Sequence, residues 1–292
     1  MGYSTVCDAV ASGKIKGTGR SGKGQAGAEQ ELFWTPSDFS FTSKSSAVSI
    51  SDWNTAVAAG NAIYLGVIEE FDANDTEATF YESANGNLRL KTAEAKRVRQ
   101  YRLVECSCTH ASLLSLDGQN GRLLIRTSRG YLKARIEDDG TVVGFKTNQF
   151  DVGLLTAATT ESPSFTPIDV TFATPIDDDK DVFEDSIDFE FSQVDQVFNA
   201  SLSASSITQS GTLDFTLRIN KDCSDVALSG VLESNLIVED VNGNVLSKTL
   251  TPSGDSYDIS VTTALSSAIV YFDGVQNISS VLYTSEDLTV SV

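Results

Sequence analysis

From about residue 198 to its last residue the chain repeats one pattern: short runs of alternating apolar and polar residues, each closed by a turn signal. The runs are 212–219, 236–241, 245–250, 257–261, 268–272 and 280–283. A period of two places all the apolar side chains on one face of a strand, and a helix cannot use it. Strands roughly 8–12 residues apart over about 95 residues have the rhythm of an immunoglobulin-like sandwich. Asn242-Gly243 lies between two of the runs and signals a hairpin, because both central residues of a type I′ turn need positive φ. No Cys…Trp…Cys signature accompanies the runs, so rhythm alone carries this reading.

The earlier part of the chain is also β-rich but more varied. Phe39 and Phe41 alternate as in a strand. Ser51 can cap a short helix over 52–59 that Gly60 closes. Strands follow over 62–68 and 78–82, and Asn85-Gly86 marks a turn. The stretch 97–108 alternates with Val98, Cys106 and Cys108 on one parity, and a brief helix fits 110–116. Strands over 122–126 and 131–136 flank an Arg129-Gly130 turn, Asp139-Gly140 turns the chain again, and 142–155 and 164–173 complete a meander. The fold class expected is mainly β: an antiparallel sandwich or barrel-like domain with one or two short helices, followed by a C-terminal Ig-like sandwich. The boundaries read as a flexible Gly/basic arm over 1–30, a β domain over 31–196 ending in an acidic hinge, and the sandwich over 197–292.

Charge divides the chain at the same place. The 292 residues carry a formal charge of −19; residues 1–150 hold 17 basic and 17 acidic residues, whereas 151–292 hold 4 and 23. Nine acids stand in 177–195 against Lys180 alone. Such a tract reads as a solvated rim or hinge, and the second half as a repelling, soluble surface unsuited to nucleic acid. Residues 11–30 hold six glycines and four cations, Lys14, Lys16, Arg20 and Lys23, with Ile15 as their one sizeable apolar residue. Such a segment cannot build a core, so it is expected to order only against a partner. No apolar leader and no run of 18 apolar residues is found, which predicts synthesis in a cytoplasm and no membrane partner.

One His, one Met and four Cys leave little for acid–base, thiol or metal chemistry. Gly17-Thr18-Gly19-Arg20-Ser21-Gly22-Lys23-Gly24 approaches a phosphate loop, but Gly24 replaces the hydroxyl that would hold Mg²⁺, and no strand leads in. Cys106, Cys108 and His110 could share a strand face, yet a structural zinc needs a fourth ligand, and Cys7 and Cys223 are remote in sequence; core thiols are the simpler reading. The acids at 177–181 lack the ligand spacing and central glycine of a calcium loop. The expectation is therefore no catalytic residue, no cofactor and no metal, and a protein that is not an enzyme.

Two basic runs remain: Arg89, Lys91, Lys96, Arg97, Arg99 and Arg102, then Arg122, Arg126, Arg129, Lys133 and Arg135. Arg122 and Arg126 share a parity within one strand, and Lys133 and Arg135 within the next, so a positive sheet face is expected. Stacking aromatics are not interleaved with these charges as a single-strand platform requires. An acidic protein surface is the better partner, and another copy of this chain supplies one. Lys14, Lys16, Arg20, Lys23, Arg122, Arg126, Arg129, Lys133 and Arg135 are thus the candidate assembly residues, with nucleic acid involved only indirectly.

The segments TFYES at 79–83 with Asn85-Gly86, RQYRL at 99–103 and GFKTNQFDVGLL at 144–155 are similar to virion proteins of tailed bacteriophages, those infecting Bacteroidetes in particular. The likeness spans roughly residues 30–175. Arm, β domain and appended acidic sandwich together resemble tail-tube proteins. That resemblance implies rings of subunits stacked through arms and long loops, an Ig-like addition on the outside, other virion proteins as partners, and a place in the virion after assembly in the host cytoplasm. A capsid decoration protein or a connector ring protein would have the same build. From a different class, a carbohydrate- or surface-binding module would use the Ig-like domain and exposed aromatics.

Overall fold

The computed structural model describes residues 27–82, 89–104, 107–160, 162–174, 181–221, 224–263 and 265–292. The chain divides into two compact units with the boundary between Val194 and Asp195, residues 57–60 being grouped with the second. Both units are mainly β.

The first unit opens with β1 (Glu29–Pro36), helices α1 (Lys44–Ala47) and α2 (Ile50–Ala58), β2 (Ile63–Ala73), β3 (Thr79–Glu82), β4 (Arg89–Ala93) and β5 (Val98–Val104). Helix α3 (Ser107–Leu114) leads to β6 (Gly121–Thr127), β7 (Tyr131–Ile136), β8 (Val142–Val143), β9 (Phe145–Val152), β10 (Phe165–Phe172) and β11 (Val182–Ser186). Six strands close on themselves in the order β1-β2-β5-β10-β9-β6, with β6 returning to β1 and every pairing antiparallel. Closure removes the edges of these strands from solvent. Leu32, Trp34, Leu65, Tyr101, Leu103, Leu123, Phe150 and Ile168 fill the interior, and Leu113 of α3 packs into the same core.

Strand alternation gives β1 a second apolar face. Leu32 and Trp34 enter the barrel, so Phe33 points out, where it meets Trp53 of α2 at 4.8 Å, Tyr64 at 5.4 Å and Phe191 at 5.0 Å between ring centroids. Phe191 comes from the tract expected to be a solvated acidic hinge. Among its carboxylates, Phe183, Ile187, Phe189, Phe191 and Val194 are all buried. The acids mask an apolar series that forms β11 and a 3-10 turn, Phe191–Gln193.

One edge of β6 pairs with β1 along its length, while the other is shared: β9 takes its start through Arg122↔Lys146 and Leu123↔Phe145, and β7 its end through Ile125↔Lys133 and Arg126↔Leu132. The chain swings from β8 to β9 at Gly144, where an added Cβ would lie 2.8 Å from the carbonyl oxygen of Leu123. Only glycine permits that approach, and it breaks the single strand expected over 142–155. The alternation expected to run through 97–108 also ends early, at Val104. Residue 108 then lies in α3, so Cys108 and His110 do not share a strand face.

The second unit contains β12 (Val197–Gln209), β13 (Leu213–Lys221), β14 (Leu236–Glu239), β15 (Lys248–Ser253), β16 (Ser256–Val261), β17 (Ser267–Phe272), β18 (Gln276–Ile278), β19 (Val281–Ser285) and β20 (Leu288–Ser291). They form a sheet ordered β15-β16-β13-β12-β19-β18 and another ordered β14-β17-β20. Both contribute to one core, with Phe215, Leu217, Ile259 and Tyr283 from the larger and Val238, Val270, Phe272 and Val290 from the smaller. With β12, β13, β16 and β15 as strands A, B, E and D and β14, β17 and β20 as C, F and G, the order is the constant-type immunoglobulin arrangement. The β18–β19 hairpin is inserted between F and G, and β19 runs parallel to β12.

The Asn242-Gly243 signal gives a turn without a hairpin. Asp240 closes it by accepting from the backbone N–H groups of Asn242 and Asn244 and from the Asn244 amide at 2.8–2.9 Å. Only the bridge Glu239↔Val245 forms before the chain crosses to the other sheet.

Candidate functional site

The residues expected to make a positive face are not presented as one. Arg126 is 9% exposed, and its Nη1 donates to Glu31 Oε2 at 2.7 Å and to Gln30 at 3.3 Å. Glu31, 3% exposed, also accepts from the Tyr64 hydroxyl at 3.1 Å and from the backbone N–H groups of Phe191 and Ser192 at 3.2 Å. This pair ties two barrel strands to the turn that ends the first unit, and Arg126 is no exposed interface cation. Arg122 donates from Nε to the carbonyl of Ser37 at 2.9 Å and lies 3.6 Å from Glu137. Arg135 lies 3.4 Å from Glu137 and 3.9 Å from Asp181. Lys133 stands across from Glu184 of β11, and Arg129 is exposed in its turn. Each run of cations meets acids of its own unit. Lys14, Lys16, Arg20 and Lys23 lie outside the described residues.

His110 is buried, its Nδ1 3.0 Å from the Thr166 hydroxyl. Cys7, Cys106 and Cys223 lie outside the described residues, as do the Cys108 side chain, the Asn85-Gly86 turn and the acids at 177–179. Among the described residues no group of three or more His, Cys, Asp or Glu is placed to hold a metal ion. No described helix is long and apolar enough to cross a membrane.

The structure brings forward an arm instead. Beyond Ala73 and before Arg97, whose carbonyl still accepts from the Phe172 N–H of β10 at 3.0 Å, the β2–β5 ladder continues as two strands alone. The N–H of Asn74 donates to the carbonyl of Val98 at 3.0 Å, Thr76 and Lys96 exchange both bonds at 2.9 and 3.0 Å, and β3 then pairs with β4. Asp75 anchors the root by accepting from the Val98 N–H at 3.0 Å and from the Arg99 guanidinium. Partial burial raises its carboxyl pKa, but these hydrogen bonds outweigh it and hold the group below its usual value.

Every residue of β3 is exposed. Phe80 is 45% exposed, Tyr81 55% and Leu90 50%, and the register sets Tyr81 directly opposite Leu90, on one face of the arm. A two-stranded sheet has no core on either side and is marginal by itself in water. Each of these three side chains is already about half covered, so burying the rest would stabilise an assembly by about half of the ~1.5–3 kcal/mol of a full burial. Sequence reading located the strand at 78–82 but missed its exposure. The available signal was Phe80-Tyr81: adjacent aromatics on a strand face opposite ways, so a strand with one buried side leaves one of them in water.

The chain matches no protein-family model and no curated protein.

Proposed function

We propose that this chain is a self-assembling, non-enzymatic structural protein of a tailed-phage particle, with a tail tube or related tail component as the place its build fits best. The observation that carries self-assembly is the projecting β3–β4 arm with Tyr81 and Leu90 exposed side by side. Exposed apolar patches mark association surfaces, and among the described residues the outermost strands of the other sheets are short or guarded. β18 and β20 have three and four residues, β15 carries Lys248 and Pro252, and β11 carries Glu184 and Asp185. Such edges resist pairing with another chain. The arm's strands are as short and β4 carries Arg89 and Lys91, so the exposed Tyr81–Leu90 pair, not a bare strand edge, is what sets the arm apart. The virion assignment draws on the sequence resemblance, and a barrel followed by an immunoglobulin-like unit agrees with it.

Electron microscopy of the purified full chain over a concentration series tests the proposal. Rings, tubes or other regular particles are expected, and they should be lost on substituting Tyr81→Ser and Leu90→Ser together. A wild-type chain that stays monomeric up to millimolar concentration, by sedimentation, would overturn it.

A further inference from the structure

Strand β12 is an inner strand of its sheet only at its start. Val197 to Ala200 pair with β19 on one side, and from Ala200 onward β13 pairs on the other. β19 stops at Ser285, and Glu286-Asp287 carry the chain across to the smaller sheet, where it continues as β20. The place beside residues 201–205 is thereby vacated. Among the described residues no strand pairs with that edge, and Ser201, Ser203 and Ser205 are exposed. Beyond Ser205 a bulge breaks the ladder to β13, with Ser206 at φ +53°, and a bulge turns an edge away from pairing. The open edge is therefore the segment SLSAS.

An open edge presents alternate backbone N–H and C=O groups, a template for one more strand. Leu202 and Ala204 of β12 and Leu288 of β20 pack on the core of the second unit but are only partly buried, so a strand laid there would also extend that core. The usual guards are missing: residues 196–213 contain no charge and no proline, within an otherwise acidic half of the chain. A strand bringing carboxylates would meet Glu286 and Asp287, both exposed, where β19 leaves the sheet. The same segment of a second copy brings none and has the same length. Antiparallel neighbours that face each other share a side of the sheet. Centring two copies on Ser203 obeys this, setting Leu202 against Ala204 twice, large against small on the core side, and Ser201 against Ser205 on the solvent side. We propose that two copies pair β12 to β12 through this edge, antiparallel about a two-fold axis at Ser203, and so join their larger sheets into one. The contact is isologous and consumes both open edges at once. It uses no residue of the β3–β4 arm and stands apart from the assembly proposed above.

The test uses the full chain carrying Tyr81→Ser and Leu90→Ser, so that the arm contributes nothing. Sedimentation over a concentration series should show a monomer–dimer equilibrium. Adding Ser203→Lys should raise the dimer dissociation constant by about tenfold or more, because it sets two ammonium groups opposite each other on the axis. The residue is exposed, so the fold of the monomer should survive, as circular dichroism would report. A chain without the lysine that stays monomeric to millimolar concentration would overturn the proposal, as would a folded lysine variant that dimerises as before. Ser203→Cys in the same background gives a second measurement that does not need the lysine variant. Residues facing each other across an antiparallel pair have Cα atoms about 4.5–5.5 Å apart, within reach of a disulfide. Mild oxidation should therefore link two chains through position 203, as mass spectrometry of the joined peptides would show. Links that run only through the native cysteines, or no links at all, would overturn the proposal.

Discussion

Arg126 donates to Glu31 at 2.7 Å between two strands of the barrel, and neither residue is more than a tenth exposed. The pair is separated by 95 residues in sequence. Removing one partner of a buried, hydrogen-bonded ion pair leaves the other charge uncompensated and costs about 3–5 kcal/mol, whereas replacing both by apolar residues is often close to neutral. Glu31→Leu and Arg126→Met should each strongly destabilise the first unit, and in a denaturant titration the double variant should lose less than the sum of the two without full recovery, because the Tyr64 hydroxyl and the N–H groups of Phe191 and Ser192 still lack Glu31. Strictly additive losses would show that the two side chains are not coupled.

Gly121 faces the indole of Trp34. A Cβ at residue 121 would lie 2.4 Å from the indole Nε1 and 2.7 Å from the Thr35 carbonyl oxygen. Because Trp34 is wedged in the barrel core, Gly121→Ala should destabilise the first unit by about 1–3 kcal/mol, the cost of overpacking. Tryptophan fluorescence during unfolding would report it; an unchanged midpoint would mean that the barrel has slack beside Trp34.

The turn joining β18 and β19 places Ser279 and Ser280 at φ +55° and +66°. A residue with a Cβ is disfavoured there by about 1–2 kcal/mol, and glycine is not. Ser280→Gly should raise the unfolding free energy of the second unit by about 0.5–1 kcal/mol, net of the entropy glycine adds to the unfolded chain. A lowered melting temperature would contradict the turn geometry.

Acid should loosen the arm at its root. The Asp75 pKa is depressed in the folded state, so its contribution is complete above the ordinary aspartate value of 3.8 and fades as pH falls through the lower folded value. Amide exchange at Thr76 and Lys96, corrected for its intrinsic pH dependence, should accelerate below pH 3.8 in the wild type and be insensitive to that window in Asp75→Asn.

Periodicity made the sandwich legible because its apolar alternation matches β13, β16 and β17 closely. It gave no run for β12, whose sequence VFNASLSASSITQ turns Ala200, Leu202 and Ala204 inward and serines outward, so that only Leu202 stands out as a large apolar residue in that alternation. That strand is held by its neighbours β13 and β19, and no local pattern could reveal them. The acidic tract before residue 195 misled because charge count hid Phe183, Phe189 and Phe191. The basic runs misled for a related reason: parity placed Arg122 and Arg126 on one strand face correctly, but it carries no information about Glu31 or Glu137 arriving from distant segments. The arm was visible as a strand and invisible as a projection, because exposure depends on which strands fail to flank it.

Amide exchange measured residue by residue over β3 and β4, with the full chain held first dilute and then concentrated, tests the account most directly. The amides of 79–82 and 90–93 should exchange rapidly in the monomer and become protected in step with assembly, while the barrel amides of β6 are protected throughout. Arm amides that exchange equally fast in monomer and assembled particle would contradict the account.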